Sequence, residues 1–229
     1  MIDESVTHVP VGMSGTDPSP VALVDPVTPG PREAKRLATR QSILDATVDG
    51  LVEDGYGSLT TRRIAERAGI AQSTLMHHFE TRESLLVEAV ANLAVDLAET
   101  ALAEIDLDAL RGEGHRDAVL DQAWSTFTSP QALAAAQLWG AAWTEPELAT
   151  ALRELEIRVA QLVMQTAATV FPDEATDPLF PVYIDGVVQV LRGLIMAIPT
   201  WGRPVIDARW AAIKPVLVTA SSHLLAPPS

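Results

Sequence analysis

Gln72, Ser73, Thr74, Met76 and His77 bring together, within six residues, the groups that can read a base edge. A glutamine amide makes a two-point contact to adenine, small hydroxyls bond bases or phosphates, and an apolar tip can meet a thymine methyl. An imidazole can bond a phosphate whether neutral or protonated. On a helical wheel Gln72, Ser73, Met76 and His77 share one side, and Leu75, His78 and Phe79 share the other. The first side could face a groove, and the second must meet another helix. Arg62 and Arg82 lie at the edges of this unit and would supply charge to phosphates. Thr60, with Thr61 behind it, and Thr81 stand at helix starts, where free N–H groups and the helix dipole favour an anion. Blander readings stand beside these: Tyr56 and His78 as packing residues, Arg67 as the partner of a nearby acid, Thr81 as a cap alone.

Such chemistry needs two short helices and a tight turn between them. Thr60 stands where an N-cap belongs, and Thr61–Arg67 reads as a short helix. Ala68-Gly69-Ile70 reads as the turn and Gln72–Phe79 as the second helix. Ile64, Ala65, Ala68, Ile70, Leu75 and Phe79 have the spacing to lock the pair together. Upstream, Ala34, Leu37, Ile43, Leu44, Thr47, Val48 and Leu51 mark an amphipathic helix that Gly55 and Gly57 stop. Downstream, helical spacing continues over Leu85–Ile105. Five more helices follow, roughly His115–Thr128, Gln131–Ala142, Glu147–Val170, Leu179–Ile198 and Val205–Leu225, with Gly, Pro or Asp at the breaks. No run alternates well enough to be a strand and no internal repeat appears. The expected fold is all-α with about nine helices.

The 229 residues suffice for a real core, and 48% apolar with 20% charged is a globular balance. With no cysteine, disulfides, thiolate zinc sites, iron–sulfur clusters and cysteine nucleophiles are excluded. No basic segment precedes an apolar run as in a signal peptide. Val187–Ile198, interrupted by Gln189 and Arg192, reads as too short to cross a bilayer. A soluble, cytoplasmic protein with no membrane partner is expected. The net charge of −14 argues, as an average, against a polyanionic partner. The average hides an uneven distribution. Residues 1–31 carry −4 and six prolines, which reads as a disordered arm; residues 32–82 carry +1; residues 83–229 carry −11. The near-neutral segment is the one that holds the two short helices.

The stretch Arg40–Val87 resembles the DNA-binding domain of the TetR (tetracycline-repressor-type) family. The resemblance rests on Ile43-Leu44-Asp45-Ala46, Gly55-Tyr56, Thr60, Ile64-Ala65-Glu66-Arg67-Ala68-Gly69-Ile70, Thr74-Leu75, His77-His78-Phe79 and Leu85-Leu86. Beyond those fifty or so residues, only helix number and chain length are similar to the family's plan. Two positions depart. Met76 stands where the family usually has a tyrosine that contacts a phosphate or thymine. Ala71 stands where the N-cap is usually serine, which forgoes a bond of about 1 kcal/mol. With the arm read from composition over 1–31, the resemblance implies a helix-turn-helix DNA-binding domain over 32–82 and an effector-binding and dimerisation domain over 83–229. It implies a homodimeric transcriptional regulator, expected as a repressor. Its partners would be a palindromic double-stranded DNA operator and a small-molecule effector, apolar or aromatic.

Residues 83–229 show no histidine pair at metal spacing, no Glu-x-x-His and no glycine-rich phosphate loop, so no metal, cofactor or catalytic residue is expected. His115 and His223 are isolated near helix ends. Two rival readings remain: an interaction module that uses the same fold without DNA, and an α-helical enzyme. Trp124, Phe127, Trp139, Trp143, Met164, Tyr183 and Trp201 are candidates to line an apolar cavity, with Arg158, Gln161 and Arg192 as its polar groups. An arginine facing it would favour a phenolate or carboxylate. The plainer alternative is that the aromatics are core and Arg158 pairs with Glu154. Gly186, Val190, Gly193, Leu194 and Ala197, with Ala208, Ala211 and Ala212, are small or apolar residues on the last two helices that could meet a second copy. Their alternative is packing within the chain.

Overall fold

The computed structural model describes residues 30–104 and 115–224. The expected arm therefore lies outside the described residues except for Gly30 and Pro31, as do the breaks expected at Gly112 and Gly114. Among the described residues there are nine α-helices and no strand.

Helix α1 (Pro31–Asp54) opens with proline at its first position, where a missing N–H costs nothing. Its first eight residues are exposed; from Ile43 on it buries a stripe of Ile43, Leu44, Thr47 and Leu51. Gly55, at φ +72°, ends it and leads into a 3-10 turn, Tyr56–Ser58. Helix α2 (Thr61–Arg67) is capped by Thr60, whose hydroxyl accepts the Arg63 N–H at 3.3 Å. Gly69 closes it at φ +67°, with Ile70 N–H bonded to the Ala65 carbonyl and Gly69 N–H to that of Glu66. That paired arrangement needs a left-handed residue, which glycine adopts without penalty. Helix α3 (Gln72–His78) follows, without a side-chain cap at Ala71. Helix α4 (Arg82–Glu104) starts three residues earlier than the apolar pattern suggests. Thr81 and Ser84 cap it reciprocally: each hydroxyl accepts the other's N–H, at 3.0 and 3.3 Å.

The remaining helices are α5 (His115–Phe127), α6 (Pro130–Ala141, capped by Ser129), α7 (Pro146–Val170), α8 (Phe180–Trp201) and α9 (Arg203–Leu224). A 3-10 turn, Glu174–Thr176, precedes α8. Helix α8 runs through Pro199 to Trp201 rather than stopping at Ile198, because a proline one turn from the end forfeits a single hydrogen bond.

Two apolar clusters hold these helices. The first joins Ile43, Leu51, Ile64, Leu75, Leu85 and Leu86 of α1 to α4 with Leu138 of α6 and Leu148 and Leu155 of α7. The second joins Trp124 of α5 with Leu191 and Ile195 of α8 and Ile206 and Trp210 of α9. Helices α1 and α4 thus connect the short helices to α6 and α7. By length and composition α8 is apolar enough to cross a membrane, contrary to the expectation from Val187–Ile198 alone. Val187, Leu191 and Ile195 bury one side of it within the chain, and its other side is exposed.

Candidate nucleic-acid interface and internal cavity

Leu75 and Phe79 anchor α3 in the first cluster. The opposite side presents Gln72, Ser73, Met76 and His77 to solvent, with Thr74 half-buried. Gln72 donates to the Thr61 hydroxyl at 3.0 Å, which ties the start of α3 to the start of α2. Arg40 fixes the other end. Its guanidinium donates to the His78 carbonyl at 2.8 Å, lies 4.2 Å from the Phe79 ring centroid and pairs with Glu88 of α4. Partial burial, and then the positive charges of His77, Arg40 and Arg36, hold His78 below the ordinary imidazole value. The exposed face is thereby carried on a rigid support.

The cations divide into two groups. Arg62 is well exposed and pairs with Glu66 one turn on, while Arg32, Lys35 and Arg36 lie on the exposed first turns of α1, with Arg36 paired to Glu33. The sequence pattern hides that last group, because nothing in it says that the helix overhangs its neighbours. Arg67 is clamped by Glu53 and Asp54 at the end of α1, at 2.7 and 3.1 Å. Arg82 is not at an outer edge. It turns inward, donating to the Leu59 carbonyl at 3.0 Å, the Tyr56 hydroxyl at 2.9 Å and the Tyr56 carbonyl at 3.2 Å. Its plane lies 4.4 Å from the Tyr56 ring centroid. Those acceptors are fixed by the turn after α1, so the guanidinium is consumed inside the protein. Thr60 and Thr81 spend their side chains on caps.

Tyr56 also joins the short helices to the rest of the chain. Its hydroxyl donates to Glu145, ahead of α7, and its N–H donates to the Gln137 side chain of α6 at 2.9 Å. Burial raises the Tyr56 phenol above its ordinary value, and the bond to Glu145 adds to that while Arg82 opposes it. Helix α6 points Gln137 at this joint and turns Ala132, Ala135, Ala136 and Trp139 into a cavity on its other side.

That cavity, about 280 Å³, lies among α4 to α8. Of the candidates from the sequence, Phe127, Trp139, Tyr183 and Arg192 line it. The others do not. Trp124 is buried beside it, stacked on Trp210 at 5.1 Å with its indole N–H on Asp207. Trp143 is 90% exposed after α6, and Trp201 is exposed at the end of α8. Helix α7 lines the cavity with Val159, Leu162, Val163, Thr166 and Val170, which turns Arg158 and Gln161 to solvent and leaves Met164 off the wall. Two charged wall residues escaped the sequence reading, Arg116 and Glu174. They pair at 3.0 Å across 58 residues, and no local spacing announces such a partner.

Helices α8 and α9 leave an apolar face uncovered. On α8 it holds Val182, Gly186 and Gly193; on α9, Val205, Ala208, Ala211, Ala212 and Val216. A methyl added at Gly186 or Gly193 would meet nothing within 4 Å. Of the other expected face residues, Leu194 is buried in the inner cluster, and Val190 and Ala197 are half-buried where that cluster borders the exposed glycines.

Two short helices around a left-handed glycine, one with an exposed polar side, define a helix-turn-helix protein on an all-α body. Residues 43–89 match the family model described as bacterial regulatory proteins, tetR family. The chain is 34% identical over 89 residues to the HTH-type transcriptional regulator AlkX of Mycobacterium tuberculosis, covering 38% of this chain and 42% of that one. It is 43% identical over 47 residues to the tetracycline repressor protein class D of Escherichia coli, covering 20% and 22%. The chain thus spans less than half the length of either relative. A transcriptional regulator from Rhodococcus sp. Rha1 shares the fold with TM-score 0.60 at 18% identity, over 82% of this chain and 99% of that one. The multidrug binding protein EbrR complexed with ethidium does so with TM-score 0.62 at 20% identity, over 83% and 99%. Residues 43–89 thus resemble the helix-turn-helix segment of the TetR family, and the solved structures share the fold over most of the chain.

Proposed function

We propose that the chain is a homodimeric, ligand-responsive transcriptional repressor that binds a near-palindromic operator. One observation carries this reading: α3 exposes Gln72, Ser73, Met76 and His77 on a helix locked from behind by Leu75, Phe79 and Arg40. Each subunit would set this side in a major groove, with Arg62 and the overhanging cations of α1 on flanking phosphates. A second copy would cover the apolar face of α8 and α9 and build a four-helix seam. An effector in the cavity would act through α6, which lines it and also holds Tyr56. Release requires the ligand to favour a conformation in which the two α3 helices no longer match the groove spacing.

In vitro selection from random duplexes tests the reading. The expected product is a near-palindrome with half-sites about 34–36 Å apart, or a multiple of that. Failure to enrich any duplex would leave only the fold and would favour an interaction module without DNA.

A further inference from the structure

The cavity is long and its charged walls are internally neutralised. It runs along α4 from Val90 to Ala101 and along α7 from Val159 to Val170, which is about 16 Å in each case at the helical rise. One end carries Arg116 and Glu174, paired at 3.0 Å, with Arg116 also donating to Ser222 at 2.9 Å. The other end carries Arg192, whose guanidinium makes a two-point pair with Glu156 at 2.9 and 3.1 Å. The Trp139 indole N–H donates to the same carboxylate, and Arg192 lies 5.4 Å from the Trp139 ring centroid. Near the Arg116 end, the Tyr183 hydroxyl is spent on the Leu217 carbonyl at 3.0 Å. Alanine, valine, leucine and isoleucine make most of the remaining wall.

Resting on the effector reading above, we infer that this cavity takes an uncharged, elongated aliphatic molecule and rejects ionised ones. An anion entering it must leave water and then displace Glu174 or Glu156 from its arginine. A cation must displace an arginine from its carboxylate. Either exchange strands a charge that was paired, which costs more than the new contact returns. An uncharged chain breaks no pair and buries methylenes against the aliphatic wall. The arginines at this cavity therefore do not select a carboxylate, as Arg192 alone suggested. They close the ends of an apolar slot.

Three probes built on a ten-carbon skeleton isolate the headgroup: decanol, decanoate and decyltrimethylammonium, titrated calorimetrically into the full chain. Decanol should bind at least about ten-fold more tightly than either charged probe. A tighter decanoate or a tighter decyltrimethylammonium overturns the inference, and so does binding of none of the three. Glu156→Gln keeps the shape of the wall and frees Arg192, so decanoate should gain at least about ten-fold on decanol. Arg192→Met frees Glu156 and should shift the preference toward decyltrimethylammonium. Unchanged preferences in both folded variants overturn the role given to the pairs. Operator affinity with and without decanol is read separately. Decanol that binds without weakening operator binding leaves the ligand class standing and refutes the effector reading.

Discussion

Arg82 separates two accounts of the region between α3 and α4. The sequence places it where a cation could meet a phosphate, whereas the structure turns it onto Tyr56 and Leu59. Arg82→Ala removes three hydrogen bonds from a guanidinium that is about one quarter exposed and strips the cover from the Tyr56 ring. The carbonyls of Tyr56 and Leu59 lose a donor, and both residues are buried. Charge-assisted bonds contribute about 1.5–3 kcal/mol each, but three bonds from one group are not additive, so a loss of about 2–4 kcal/mol is expected. For a chain of this size that is a fall in Tm of about 5–15 °C. Arg82→Lys keeps the charge without the fork and should recover only a minor part of the loss. Thermal unfolding and operator binding across a salt series are measured on the same variants. The expected outcome for Arg82→Ala is a lowered Tm with an unchanged salt slope. An unchanged Tm, with the slope reduced by about one, would place Arg82 on a phosphate and refute the clasp.

Three further outcomes follow from named contacts. Gln72→Ala should weaken operator binding by about 1–3 kcal/mol and relax selectivity at one base pair, with little change in Tm, because its bond to Thr61 lies at exposed polar surface. Competition between operator variants reads the selectivity, and a uniform loss across all of them would make Gln72 a phosphate contact. Gly193→Arg projects a charge from the exposed side of α8, where a single chain has open space. Light scattering should then show the monomer mass with helical content retained, and a persistent dimer would move the seam elsewhere. Because the folded state lowers the His78 value below its ordinary 6.5, folding disfavours the protonated form. This contribution to stability is fully present above about pH 6.5 and is lost as pH falls through the lowered value. Tm should therefore decline on acidification, and His78→Gln should flatten that decline.

The helix-turn-helix was legible because its determinants are local. Gly69, the Thr60 cap and the Ile64, Leu75 and Phe79 spacing lie within twenty residues, and each has one physical use there. The spacing on α3 was enough to separate its buried side from its exposed one. Helix α7 shows the opposite case. It is apolar on more than one side, burying Leu148, Leu152 and Leu155 in the first cluster and turning Val159 to Val170 into the cavity. Periodicity gives such a helix a stripe but not its partners, so Arg158, Gln161 and Met164 fell on the wrong side. The contacts that close the molecule are longer in range still. Tyr56 meets Glu145 across 89 residues, and Arg116 meets Glu174 across 58. Arg82 reads as an outward cation until its acceptors are known. On α8 the small-residue pattern marks Gly186 and Gly193, which are exposed, whereas Leu194 is buried in the chain's own core and Val190 and Ala197 are half-buried beside it.

The central claim is that α3 reads the major groove. Base-modification interference on the selected operator, with the full chain bound, addresses it most directly. The account predicts that modifying major-groove atoms of purines abolishes binding in two patches on one face of the duplex, about one helical turn or a multiple apart. It also predicts that Gln72→Ala erases the signal at one adenine in each patch. Interference confined to the minor groove, or a Gln72→Ala pattern identical to that of the wild type, would contradict it.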